Sequence, residues 1–319
     1  MISLGATAWL LHKLIPVFVH RKMGQTIYEL GPYWHKNKAN TPSMGGLCFV
    51  AAIIGTVTLA VVYKVISDPA FDCVPIALAL LLALMNSFVG FIDDYMKIIK
   101  KQNEGLNRKQ KLLLQFLVAL VYLALVYFSG TANTVLRIPF SNRGIDLGFW
   151  YYLILPVIIV GFANATNITD GLDGLASSIS SVVAILLIAY AFTFGQEDLL
   201  VLSGAFLGGM LGFLIFNHHP AKVFMGDTGS LFLGGFFMGV AVMTGQLLMF
   251  LIAGLVFIFD MLTSLLQILY AHFNHGKRLF LKAPYHHALE LHGWSETQIL
   301  TLFSGLTALF SGVAYISVL

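Results

Sequence analysis

Charged residues are scarce in this chain: Asp, Glu, Lys and Arg make up 10% of its 319 residues, and only 15 are acidic. So thin a polar complement excludes an ordinary soluble domain, which needs a charged surface to stay in water. Cysteine is nearly missing as well. Cys48 and Cys73 allow at most one disulfide, and neither has a second thiol at metal-ligand spacing, so both read as small buried hydrophobes. The apolar runs also lack strict alternation, and most are too long for barrel strands, which argues against a β-barrel.

What is present is apolar length. Hydrophobic residues form 58% of the chain, and mean hydropathy is +0.84. A membrane-crossing helix needs about 20 apolar residues. Ten such spans are predicted, at 2–19, 44–65, 74–92, 112–129, 149–165, 175–194, 199–217, 229–245, 248–273 and 295–318. The fold class is therefore all-α: one polytopic membrane domain over residues 1–319, with no linker and no internal repeat.

Ten spans place both termini on one side, and the loops divide by charge. One set holds Arg21, Lys22, Lys36, Lys38, Lys97, Lys100, Lys101, Arg108, Lys109, Lys111, Lys222, Lys277, Arg278 and Lys282, which is 14 of the 18 basic residues. The other set holds Lys64, Arg137 and Arg143, and Lys13 lies in the first span. The richer loops are expected in the cytoplasm and both termini outside. Asp93, Asp94, Asp170, Asp173 and Asp227 all fall on the richer side, as do His35, His218, His219, His275, His286, His287 and His292. On the poorer side, 130–148 reads as a small hairpin around Asn142-Arg143-Gly144.

Carboxylates beside a bilayer are costly and mark a site. Asp93 and Asp94 are adjacent at the expected end of the third span, with Lys97 at i+4 from Asp93. Two neighbouring carboxylates repel unless a cation neutralises them. A solvated helix end with a surface ion pair would explain this pair alone. From Asn164 to Gly174, polar residues recur at 164, 167, 170 and 173, a spacing that puts them on one side of a helical turn. A helix cap explains one of these, not four. Phe224-Met225-Gly226-Asp227-Thr228-Gly229-Ser230 sets an acid, two hydroxyls and two glycines before a span, where a helix N-terminus also receives phosphate. Hard oxygen donors suit Mg²⁺ rather than zinc. Pro284-Tyr285-His286-His287, behind Lys277, Arg278 and Lys282, suits a diphosphate or its sugar. Asp260, inside the ninth span, is expected to be buried and paired.

These residues carry a family resemblance. Lys38 with Thr41-Pro42-Ser43-Met44-Gly45-Gly46, Asp93-Asp94 with Lys97, Gly105-Leu106 with Lys111, Asn167 to Ala176, Asn217 with Pro220 to Ser230, and Ala283-Pro284-Tyr285-His286-His287 together resemble the phospho-N-acetylmuramoyl-pentapeptide transferases. These form a branch of the polyprenyl-phosphate N-acetylhexosamine-1-phosphate transferase superfamily. Three positions depart from the usual pattern: Asn40 stands for a glycine, Asp260 for a glutamate and Ala288 for a third histidine.

The resemblance implies ten helices, a cytoplasmic active site in a bacterial inner membrane, and Mg²⁺ as cofactor. It implies transfer of phospho-N-acetylmuramoyl-pentapeptide from its UDP carrier to undecaprenyl phosphate, giving lipid I and UMP. Asp227 would be a metal ligand. Asp93 and Asp94 would help hold the metal, take a proton from the lipid phosphate, or attack phosphorus themselves. His286 and His287 would take part from the last loop. Phe224 would stack on uracil, with Asn167, Ile168, Asp170, Asp173, Asn217 and Ser230 around the nucleotide, and Lys38, Lys97 and Lys111 would meet the diphosphate. The lipid would enter sideways, beside a bent ninth span. No nucleic acid partner is expected, and a homodimer is left open. A sibling enzyme transferring N-acetylglucosamine-1-phosphate would share the aspartates but carry a more basic last loop. A secondary transporter would need ionisable groups at mid-membrane and a repeated half; only Asp260 is so placed.

Overall fold

The computed structural model describes residues 1–21, 41–68, 70–100, 105–141 and 143–319. Among them, ten helices are long and apolar enough to cross a membrane. These are α1 (Ile2–His20), α2 (Gly46–Ser67), α3 (Val74–Lys100), α4 (Arg108–Phe128), α5 (Phe149–Thr169), α6 (Leu175–Thr193), α7 (Glu197–Asn217), α8 (Gly226–Thr244), α10 (Leu255–Phe273) and α12 (Glu296–Ile316). Two short helices complete the set, α9 (Leu247–Ala253) and α11 (Tyr285–Leu291). The expected hairpin is present: β1 (Val135–Arg137) pairs antiparallel with β2 (Gly144–Asp146).

Most span boundaries shift by a few residues from the sequence expectation, and three differences have a clear physical cause. The third span does not stop at residue 92, because α3 runs on to Lys100 with Asp93 and Asp94 inside it. Their carboxylates find donors within the protein, so the helix need not end to solvate them. Similarly α5 continues to Thr169, carrying Asn164 and Asn167 on a regular helix. The ninth span is interrupted at Gly254, between α9 and α10. A Cβ there would sit 2.4 Å from the Phe162 ring, so only glycine lets the break pack against α5.

Helix α8 is the axis of the bundle, with 89% of its most apolar stretch buried. Small residues explain its position. Gly235 and Gly239 lie against Ala83 and Ala79 of α3, and a Cβ at either would come within 2.8 and 2.5 Å of the α3 backbone. Such small-xxx-small faces let membrane helices approach closely enough for van der Waals packing to hold them. The seam ends at Gly90, where a Cβ would meet the Asp227 carbonyl oxygen at 2.1 Å. This close approach sets Asp93 and Asp94, one turn further along α3, beside the start of α8. By contrast α10 turns Phe259, Leu265, Leu266 and Phe273 outward, as a lipid-facing helix does.

The two ends of the bundle are chemically distinct. Glu296 opens α12 beside Asp173, whereas Ser317, at the far end of the same helix, accepts the Phe140 N–H from the hairpin region at 2.8 Å. The hairpin and the carboxylates therefore lie at opposite ends.

Candidate active site

The first turn of α8 is built around Gly226. Its φ of +70° opens the helix in the left-handed region, and a Cβ there would lie 2.6 Å from Asp94 Oδ2 and 2.9 Å from Ser43 Oγ. Glycine alone fits both conditions. Asp94 then accepts the backbone N–H groups of Asp227 at 3.1 Å and Thr228 at 2.9 Å, and the Thr228 hydroxyl at 2.7 Å. The segment before α2 closes this corner: Phe224 N–H donates to Pro42 O, Gly45 N–H to Phe224 O and Gly46 N–H to Met225 O.

Asp227 projects from this turn into a ring of cations and amides. Lys97 Nζ lies 2.9 Å and Lys111 Nζ 2.8 Å from Asp227 Oδ2, and Asn167 Nδ2 lies 2.9 Å from Oδ1. Lys97 also reaches Asp93 at 2.6 Å and Asp94 at 3.8 Å, so the expected i,i+4 pair is made. Asp93 Oδ1 accepts the Leu106 N–H at 2.7 Å; a Cβ on Gly105 would crowd the Asp93 backbone oxygen at 2.4 Å. The tight Gly105-Leu106 step leads to Asn107, which caps α4 through a reciprocal box with Gln110. That start places Lys111 one turn into α4, facing Asn167 at 3.2 Å. Ser230 Oγ accepts from Asn167 Nδ2 at 2.8 Å and donates to Gly226 O at 3.0 Å.

Asp93, Asp94 and Asp227 bring carboxylate oxygens within 4.8 Å of one another. A site with only hard oxygen donors is suited to a small divalent cation. Two ammonium groups offset two of the three carboxylate charges, and buried charges persist only when paired in this way. The arrangement can hold a metal and receive a polyanion.

The remaining expected residues divide. Asn164 and Asn167 share a face of α5, but Asp170 and Asp173 lie on the turn after it, so the four residues do not line one helix side. Asp170 makes no hydrogen bond among the described residues. Burial, and then the charges of Asp227, Asp94 and Asp173, push its carboxyl well above the usual carboxylate range. Asp173 turns away from Asp227: it accepts the Ala221 N–H at 3.0 Å and lies 3.0 Å from His219 Nδ1. Asn217 is buried and braces backbone, accepting the Gly174 N–H at 3.1 Å and donating to Val223 O at 2.9 Å. Ile168 and Phe224 are half-buried. His286 pairs with Asp260, and His287 with Glu290, each at 2.6 Å. Burial lowers the His287 imidazole to about 4, against a smaller upward pull from Glu290. Lys38 lies outside the described residues.

Two contributors were not singled out from sequence. Gln115 is fully buried and accepts from Asn164 Nδ2 at 2.8 Å, zipping α4 to α5 one turn beyond Lys111 and Asn167. Glu296 accepts the Asp173 N–H at 3.0 Å. A lone amide inside an apolar run was the available signal for Gln115. Nothing local marks Glu296, because its partner is 123 residues away.

An all-helical membrane protein with a carboxylate–lysine centre at one end of its bundle is the class that fold and site define. A family model described as glycosyl transferase family 4 matches residues 75–245, from α3 to the end of α8. The chain is also similar to phospho-N-acetylmuramoyl-pentapeptide-transferase from Staphylococcus aureus (strain bovine RF122 / ET3-1), with 40% identity over 98% of each chain. The corresponding proteins of strains JH9 and Newman match at the same identity and coverage. The chain belongs to glycosyl transferase family 4 and, within it, to the phospho-N-acetylmuramoyl-pentapeptide-transferases.

Proposed function

We propose that this protein transfers phospho-N-acetylmuramoyl-pentapeptide from UDP-N-acetylmuramoyl-pentapeptide to undecaprenyl phosphate, in a bacterial inner membrane. An oxygen of the lipid phosphate attacks the β-phosphorus of the nucleotide sugar. The bond from that phosphorus to the bridging oxygen breaks, and UMP leaves with the bridging oxygen, giving lipid I. The observation that carries this reading is Asp227 held between Lys97 and Lys111, with Asp93 and Asp94 close by.

Each residue has a physical task in it. Lys97 and Lys111 neutralise the diphosphate as charge builds on the leaving group. Asp93, Asp94 and Asp227 would hold Mg²⁺, and their all-oxygen chemistry fits that ion. When bound, the ion supplies Lewis-acid stabilisation of the phosphoryl oxygens. Asn167 and Ser230 orient Asp227, and the half-buried Phe224 offers a ring face to uracil. His287, half-buried in the last loop, reads the transferred group, and the enclosed His286 acts by holding that loop. The excess of Lys and Arg in the loops at the carboxylate end supports a cytoplasmic site, with both termini outside, in a single polytopic domain.

The test is UMP release by the purified protein given undecaprenyl phosphate and either UDP-N-acetylmuramoyl-pentapeptide or UDP-N-acetylglucosamine, with and without Mg²⁺. Release with the first sugar alone, dependent on Mg²⁺, is expected. Release with UDP-N-acetylglucosamine alone would assign the sibling reaction, and release with neither would sink the transferase reading.

A further inference from the structure

Asp260 and His286 form a pair outside the carboxylate–lysine centre, and both side chains are wholly enclosed. His286 Nδ1 lies 2.6 Å from Asp260 Oδ2, and the His286 backbone N–H lies 3.3 Å from Oδ1. One turn further along α10, the Thr263 hydroxyl accepts the Tyr285 N–H at 3.1 Å. Two side chains of α10 therefore hold the first residues of α11. The other ring nitrogen, His286 Nε2, is buried with no hydrogen-bond partner among the described residues. It is aimed at the turn between α5 and α6: a Cβ on Gly171 would sit 2.3 Å from it.

This geometry selects one form of the ring. A carboxylate only accepts, so the proton facing Asp260 belongs to Nδ1. A second proton on Nε2 would be a buried N–H with nothing to receive it. Orphan buried N–H groups are rarer and costlier than under-used acceptors. The ring is thus held with its lone pair on Nε2, against the Gly171 backbone.

We propose that Asp260 is a positioning residue: it fixes His286 in the Nδ1–H tautomer and clamps the last loop to the turn that carries Asp170 and Asp173. The two segments then move as one body, and the group read by the loop stays in register with the carboxylate centre. A histidine's tautomer is set by the bond its other nitrogen makes, and orienting partners of functional histidines at metal sites are worth about 10–100-fold. The glycine at 171 completes the clamp from the opposite side.

The tautomer is tested on the unmutated protein in bilayers by ¹⁵N NMR of labelled histidine, with His286→Asn identifying the signal. A proton on Nδ1 and a bare Nε2 are expected; a proton on Nε2 would overturn the proposal. The kinetic arm rests on the transferase reading. Asp260→Asn is expected to lower kcat by about tenfold or more, with KM for the UDP-sugar and UMP affinity within about twofold. Asp260→Asn keeps one acceptor oxygen for two donors, whereas Asp260→Glu keeps both and should restore most of kcat. Gly171→Ala pushes on the same ring, so its effect and that of Asp260→Asn should be less than additive. An Asp260→Asn enzyme with unchanged kcat would also overturn the proposal. Wild-type protein inactive on the UDP-sugar would instead count against the transferase reading, and the NMR result would still decide the tautomer.

Discussion

Asp94 on α3 caps α8, the helix that carries Asp227, by accepting the N–H groups of Asp227 and Thr228. Two carboxylates of one centre thus have different tasks. Asp227 faces the lysines, whereas both oxygens of Asp94 are engaged by the first turn of α8. The positive end of that helix stabilises the buried Asp94 charge, and Asp94 satisfies donors that a helix start leaves open.

Asp94→Ala is expected to cost stability as well as turnover. It strands two N–H groups and the Thr228 hydroxyl in a buried corner, and unsatisfied buried donors cost about 1–3 kcal/mol each at most. Asp94→Asn keeps one acceptor oxygen and should lose less. Thermal unfolding in detergent checks this, and an Asp94→Ala midpoint equal to wild type would remove the capping role.

Asp227→Asn should leave the fold intact and abolish turnover, because side-chain size is kept while a charge between Lys97 and Lys111 is lost. A variant retaining more than about a tenth of the wild-type rate, a barrier change under about 1.4 kcal/mol, would show that the charge of Asp227 is dispensable.

Phe224→Ala should weaken UMP binding by about 1–3 kcal/mol, the range of aromatic–base stacking in nucleic-acid complexes. The backbone of Phe224 is bonded to Pro42 and Gly45, so truncation should spare the local fold. Calorimetry with UMP gives the answer, and unchanged affinity would take the ring out of the nucleotide pocket.

Much of this architecture was legible in sequence because the bilayer imposes a length rule, and apolar runs of that length stand out. The Asp93–Lys97 pair followed from helical spacing alone. Less legible was anything that depends on which helices touch. Asp93 and Asp94 were expected at a helix end, since a buried carboxylate with no visible partner should seek water; their partners, Leu106 and the start of α8, come from elsewhere in the chain. Asp170 and Asp173 share a motif yet have different surroundings, because Gly171 and Gly174 turn the chain between two helices. Periodicity does not register such a turn.

Asp170 gives a pH test. Its carboxyl is held well above the usual range, chiefly by burial. As pH rises past the ordinary carboxylate value, the unfolded chain gives up this proton first, so the native state loses stability until the folded group ionises too. Asp170→Asn is permanently neutral and removes that slope. Unfolding of both proteins in chelator should show the variant gaining on wild type from pH 5 to pH 8, as roughly set by the carboxylate reference value. A parallel pair of curves would mean that Asp170 is ionised in the native state.

Gly90 offers the sharpest test of how packing sets the centre. A methyl there would lie 2.1 Å from the Asp227 carbonyl oxygen, 2.4 Å from its carbon and 2.6 Å from the Thr228 nitrogen. All three are backbone atoms in the first turn of α8, so none can rotate away. The helices α3 and α8 must separate, and with them Asp93 and Asp94 from Asp227. Overpacking of this kind typically costs about 1–3 kcal/mol, and a misplacement of about 1 Å at a reacting centre can cost roughly 100-fold in rate. Gly90→Ala should therefore lose far more turnover than stability. Gly55→Ala is the control: it lies within α2 with nothing inside 4 Å of its added Cβ, and should be neutral or slightly stabilising. UMP release and thermal unfolding on the three proteins decide the matter. A Gly90→Ala enzyme with wild-type rate would show that the α3–α8 seam does not position the carboxylates.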